Sequence, residues 1–223
     1  MTSTSKNTAN SEELIKAAQN DVRALRDEIA QLDQASVDLI IARARSHNAW
    51  KDIPVTDAQI QRMYEILKMG ATSMNSSPAR FIFIRSQEGK EKLAKSLAPA
   101  NAPKVMAAPL TVIVAYDIEF WKELPKLFPH QDGRAFFEGK SELALDTAYR
   151  NSTLQGAYLM IAARAIGLDV GAMSGFSNEI VDEEFFAGTT LKSNFLCNIG
   201  TADETGIFQR LPRLKFDEAC SLA

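Results

Sequence analysis

Three short stretches of the sequence carry side chains suited to holding a polar or anionic small molecule. Residues 43–48, RARSHN, put Arg43, Arg45, Ser46 and Asn48 together, and Arg210 and Arg213 stand three apart near the C-terminus. Guanidinium groups beside a hydroxyl are what a phosphate monoester needs, because the planar fork makes two parallel hydrogen bonds to its oxygens. The third stretch, ATSMNSSP at 71–78, crowds Thr72, Ser73, Asn75, Ser76 and Ser77 ahead of a proline and an apolar run. That density of small donors and acceptors fits either a plain loop or the wall of a site for a flat, polar-edged ligand. Taken alone, each cluster also fits a solvated surface.

Chemistry that needs a protein nucleophile or a metal finds no support. His47 and His130 are the only histidines and Cys197 and Cys220 the only cysteines. None of them stands in a His-x-x-x-His, Cys-x-x-Cys or Gly-x-Ser-x-Gly pattern. Gly167, Gly171 and Gly175 follow a helical pattern and lack the spacing of a dinucleotide-binding turn. No metal and no catalytic side chain is expected, and any redox chemistry must be borrowed from a cofactor. The net charge is −3, with the basic residues scattered, which gives no footprint for nucleic acid. No run approaches the roughly 18 apolar residues of a membrane span. The polar start, MTSTSKNTANSEE, carries no signal-peptide core, and cytoplasm is the expected location.

The elements that must position these clusters can be read from periodicity. Residues 1–10 read as a disordered tail. Residues 11–34 read as an amphipathic helical extension with Ser11 as its N-cap, and Ala18, Val22, Leu25, Ile29 and Leu32 recur at spacings of four and three. That is an apolar seam of the coiled-coil type. A domain from residue 35 to 223 follows, with helices expected over 36–45 and 57–69, the latter capped by Thr56. Strands are expected at 81–85, 109–117 and 194–200. The first two are apolar nearly throughout and should be buried on both faces. Residues 118–140 form an aromatic-rich excursion of the kind that makes lids. A helix over 141–166 ends at Gly167, and a short one lies near 178–186. The sum is an α+β fold, a few buried strands wrapped by helices.

Read in order from Ala42 to the C-terminus, these segments resemble the nitroreductase family of FMN-dependent oxidoreductases. The resemblance rests on RARSHNAW, on Ala71 to Pro78, on the Asn101/Lys104 pair before a strand, on Met173-Ser174-Gly175-Phe176, and on Arg210 and Arg213. Within the family, TSMNSSPARF, LPKLFPH, RNS, MSGF, TLKSN and RLPRLKFDEAC are most similar to the malonic semialdehyde reductases of bacterial pyrimidine degradation.

The resemblance implies a central, mostly antiparallel sheet wrapped by helices, and an intertwined homodimer with FMN in a cleft between subunits. It implies that Arg45, Ser46, Arg213 and Arg210 hold the phosphate, and that Asn48, Asn101 and Lys104 address the pyrimidine edge of the flavin. Ser174 and Gly175 would lie near N5 and O4, with Thr72, Ser73 and Asn75 along the ribityl chain of the flavin held mainly by the other subunit. The implied reaction is ping-pong: NADPH or NADH gives a hydride to flavin N5, which passes it to malonic semialdehyde to form 3-hydroxypropionate. Arg80 and Arg134 are the candidates for the substrate carboxylate. A broader reductase of nitroaromatics or quinones, or a non-catalytic protein that binds FMN or a partner, are the alternatives.

Overall fold

A computed structural model describes the backbone of residues 4–223 and the side chains from residue 13 onward. The chain divides into two compact units, Met1–Ala44 and Arg45–Ala223. Of the tail expected at 1–10, residues 1–3 lie outside the described residues.

In the first unit, α1 spans Thr4–Ile29, so the helix starts ahead of Ser11. Nothing in this stretch is glycine or proline, and Ala, Glu, Lys, Arg and Leu favour helix throughout its second half. Asp33 then caps α2, Gln34–Ile40, by accepting from the Ser36 amide at 2.9 Å. This helix stops short of the expected Arg45. The chain from Arg45 onward belongs instead to the sheet unit, where Ser46 pairs in parallel with Val170.

The second unit is built on four strands, β1 (Ala79–Ile84), β2 (Leu110–Asp117), β3 (Asp169–Met173) and β4 (Leu191–Gly200). They pair antiparallel in the order β1-β2-β4-β3. β2 lies inside the sheet and is buried along most of its length, as its continuous apolar run demands. β1 is an edge strand, and its middle residues are only half buried, short of the full burial expected.

Helices cover both faces. On one side lie α3 (Asp57–Leu67), started by a Thr56–Gln59 capping box, and the long α7 (Ser141–Ala165). Leu67, Met63, Leu159 and Ala162 pack there against Val112, Val114, Val170 and Ile199. On the other side, α4 (Gln87–Ala94), α5 (Ala102–Ala107) and α8 (Asn178–Phe186) enclose Leu93, Val105, Val181 and Phe186 against Ile113, Ala115 and Leu196. The excursion at 118–140 folds as short turns around α6 (Leu124–Leu127), with Phe120, Leu124 and Phe137 buried against Ala144 and Ala148 of α7. A last short helix, α9 (Phe216–Ala219), sits in an exposed C-terminal segment.

β3 is the strand that periodicity did not reveal. Its glycine has a packing reason: a Cβ on Gly171 would overlap the His47 carbonyl, so only glycine lets the segment before Trp50 lie against this edge.

Candidate functional site

The edge of β3 gathers the first cluster. Ser46 is bridged to Val170, and the His47 amide donates to the Val170 carbonyl at 2.9 Å. His47 Nε2 lies 3.3 Å from Asp169 Oδ1, while Asp169 Oδ2 accepts from the Ala202 amide at 2.9 Å. This frame holds the Arg45–Asn48 backbone along the strand. The Arg45 carbonyl accepts from the Arg164 guanidinium at 3.4 Å. The Arg45 guanidinium in turn donates to the Phe208 carbonyl, which ties the start of the C-terminal segment to this edge. Arg210 and Arg213 lie just beyond, both exposed, and Arg213 donates to the Leu211 and Pro212 carbonyls at 3.0 and 3.1 Å.

Where β3 ends, Ser174 and Gly175 meet the second cluster. The Asn101 amide nitrogen donates to the Gly175 carbonyl at 3.0 Å, and the Ala98 amide donates to the same oxygen at 3.0 Å. A Cβ on Gly175 would stand 2.6 Å from Asn101 Nδ2, so glycine lets that side chain approach without shifting. Among the described residues, the Ser174 and Gly175 amides donate to no backbone or side-chain acceptor, and both residues are exposed. Asn101 also starts α5, the helix that carries Lys104. The Lys104 carbonyl accepts from the fully buried Asn198 on β4 at 3.1 Å, and Asn198 Oδ1 accepts from Thr111 at 2.7 Å. From the other side, the buried Lys90 donates its ammonium hydrogens to the Met106 and Ala108 carbonyls at 3.3 and 2.5 Å. Burial lowers its pKa from the usual lysine value.

The third cluster lies elsewhere on the unit. The loop before β1 holds three non-glycine residues at positive φ, Met74 at 52°, Asn75 at 51° and Ser77 at 40°. Such a run costs free energy unless the surroundings fix it. Two buried amides on α7 do so: Asn151 Oδ1 accepts from the Ser73 amide at 2.8 Å and Gln155 Oε1 from the Ala79 amide at 2.9 Å. Asn75 donates to the Leu127 carbonyl at 2.9 Å, and Thr72 Oγ1 accepts from the Ser77 amide at 3.1 Å. Ser76 Oγ is buried without a partner. Asn151 and Gln155 escaped the sequence reading, because they stand in the polar stretch RNSTLQ of α7, where nothing local marks them as buried.

The loop leans on α7 at the β1 edge, whereas α5 covers the opposite face of the sheet and Arg45–Asn48 follow the β3 edge. One chain therefore sets Arg45, Ser46 and Asn48 along the β3 edge, with Ser174, Gly175, Asn101 and the helix of Lys104 past the C-terminal end of that strand, and presents Thr72, Ser73 and Asn75 on a separate surface.

The two carboxylate candidates differ. Arg80 is committed to the frame, with its guanidinium 3.1 Å from Asp117 Oδ2 and donating to the Ser77 and Ala79 carbonyls. Arg134 is exposed in the excursion, its nearest acid being Asp132 at 4.0 Å. Cys197 is fully buried, and burial pushes its thiol up to about 12, so it stays protonated and is no nucleophile. Among the described residues, no group of His, Cys, Asp and Glu could hold a metal ion, and no helix is long and apolar enough to cross a membrane.

The model of the nitroreductase family matches residues 41–200, which takes in the sheet and most of the helices around it. The chain belongs to the nitroreductase family. Solved structures agree on the fold. The Bacillus subtilis protein ydfN superposes with a TM-score of 0.78 at 20% identity, covering 86% of this chain and 100% of its own. A protein of Exiguobacterium sibiricum, solved in complex with FMN, gives 0.75 at 20% identity, covering 86% and 99%. CLA-ER, an enone reductase of gut-bacterial fatty acid saturation, gives 0.73 at 17% identity, covering 85% and 98%. The α+β class and the antiparallel nitroreductase-like sheet expected from the sequence are thus both found.

Proposed function

We propose that this nitroreductase family member is a cytoplasmic, FMN-dependent NAD(P)H oxidoreductase that reduces malonic semialdehyde. The observation that carries the flavin reading is the pair of exposed, unpartnered amides at Ser174–Gly175, held by Asn101 beside the helix that carries Lys104. Amides fixed by a bonded frame can donate to the polar edge of a ring without reorganising. The ammonium of Lys104, which makes no ion pair among the described residues, supplies positive charge to the same edge, joined by Asn48. Arg45, Ser46, Arg210 and Arg213 provide the donor set for a phosphate monoester. These donors fit FMN, and a nitroreductase-like structure solved with FMN supports the choice.

FMN, when bound, supplies the hydride chemistry that links NADPH or NADH to an aldehyde carbon. The protein's part is to bind, orient and shield. Thr72, Ser73 and Asn75 lie away from the β3 edge that carries the other groups, and in this reading a second copy contributes them. Exposed apolar side chains support such a homodimer: Phe208, Leu211, Leu214 and Phe216 of the C-terminal segment and Tyr149 and Leu154 of α7. Arg134 is the cation left for a substrate carboxylate once Arg80 is held by Asp117.

The test is steady-state turnover of malonic semialdehyde against a nitroaromatic at equal NADPH, with FMN-loaded protein. Preference for the aldehyde is expected, together with a raised KM for it in Arg134→Ala. Strong preference for the nitro compound would move the assignment to a broader nitroaromatic or quinone reductase. Protein that neither takes up FMN nor oxidises NAD(P)H would sink both enzyme readings.

A further inference from the structure

The first unit presents an apolar face that the flavin reading does not use. Along α1, Ile15, Val22, Leu25 and Ile29 are between 46% and 54% exposed, and Leu32, in the turn that follows, is 60% exposed. With Ala18 they recur at 15, 18, 22, 25, 29 and 32. The strict three-four alternation has a period of 3.5 residues, the period of a seam that faces another helix along its whole length. A helix laid on a globular surface shows a wider stripe.

The residue types at each site narrow the partner. One row of the seam is Ile15, Val22 and Ile29, all β-branched, and the other is Ala18, Leu25 and Leu32. β-branched residues at the first heptad position with leucine at the fourth favour two parallel strands, because their side-chain directions differ at the two layers. Charge agrees. Asp21 and Arg26 flank the seam on opposite sides, and a parallel in-register pair sets Asp21 of each helix against the partner's Arg26. An antiparallel pair that layers Val22 on Leu25 would set Asp21 against the partner's Glu28, two like charges. A shallow groove bounded by Ile15, Ala18, Gln19, Val22 and Arg26 lies open on the same face. Within α1 the seam runs from Ile15 to Ile29, two heptads over about 22 Å of helix.

We infer that α1 forms a parallel, in-register two-stranded coiled coil with α1 of a second copy of this chain. In register, the coil sets the N-terminal ends of two α1 helices side by side.

Site-specific crosslinking in the full chain tests it. In a Cys220→Ser background, Ala18→Cys places a thiol in the seam and Asn20→Cys places one on the outer face. Under mild oxidation, Ala18→Cys is expected to form a disulfide-linked dimer on non-reducing gels at least about tenfold faster than Asn20→Cys. Adding Val22→Asp and Leu25→Asp is expected to abolish that difference, while FMN uptake by the other unit is unchanged. Equal rates at the two positions, no disulfide at position 18, or a crosslink that survives the two aspartates would each overturn the parallel coil.

Discussion

Truncating Asn101 to alanine separates a positioning role from a helix-capping one. Asn101 stands at the N-cap of α5, yet its side chain makes no capping bond there; its amide goes to the Gly175 carbonyl at 3.0 Å. Loss of that amide therefore leaves the helix end as it was and frees the Ser174–Gly175 segment. A neutral hydrogen bond contributes about 0.5–1.5 kcal/mol net. If all of it serves to hold the two amides in their binding arrangement, FMN affinity falls about 2- to 12-fold. Asn101→Asp should do worse than alanine, since it turns a carboxylate oxygen toward the Gly175 carbonyl and adds negative charge beside an anionic ligand. The assay is quenching of flavin fluorescence on titration of FMN with protein, alongside thermal melts. A bond of this size moves Tm by no more than about 2–6 °C. Wild-type affinity in both variants would refute the view that Asn101 positions these amides. A large fall in Tm would show a structural role instead.

Three further outcomes follow from the bonds described. Asn151→Ala strands the Ser73 amide in a loop already held at positive φ. It should lower stability in urea unfolding by about 1–3 kcal/mol, and an unchanged midpoint would show that the loop does not need this support. Arg213→Ala should weaken FMN binding by the worth of a charge-assisted bond, about 1.5–3 kcal/mol, and should spare the affinity for riboflavin, which lacks the phosphate. Cys197 couples stability to alkaline pH. Its folded pKa of about 12 stands above the ordinary 9.0, so its contribution is fully present below pH 9 and is lost as pH rises between those values. Between pH 8.5 and 10.5 wild type should lose about 2 kcal/mol more than Cys197→Ala; equal losses would exclude the buried thiol as the cause.

Much of the architecture was legible because it is local. Thr56 starts its helix through its own side chain, and the apolar run of β2 can sit only in the middle of a sheet. The seam of α1 is likewise a property of spacing. Family membership too was readable from short motifs in order, since each motif is a few consecutive residues. What escaped depends on residues far apart in the chain. β3 was not foreseen because its Gly171 answers to the carbonyl of His47, over a hundred positions away.

The same division holds at the site. Residue types alone pointed to a phosphate and a flat polar ligand, because guanidinium, hydroxyl and amide chemistry does not depend on the fold. Only tertiary structure decided which of those groups are free to act. Arg80 and Arg134 are equivalent on paper, but pairing of β1 with β2 brings Asp117 to the first and leaves the second exposed. Asn101 had the chemistry of a ligand donor, and the approach of Gly175 turned its amide inward. The polar loop at 71–78 was expected to meet a flavin held mainly by the other subunit, and the sheet order sets it on a different surface from Arg45 and Ser46. Sequence determines what each side chain can do; the long-range pairings that close the sheet determine which partner it meets first.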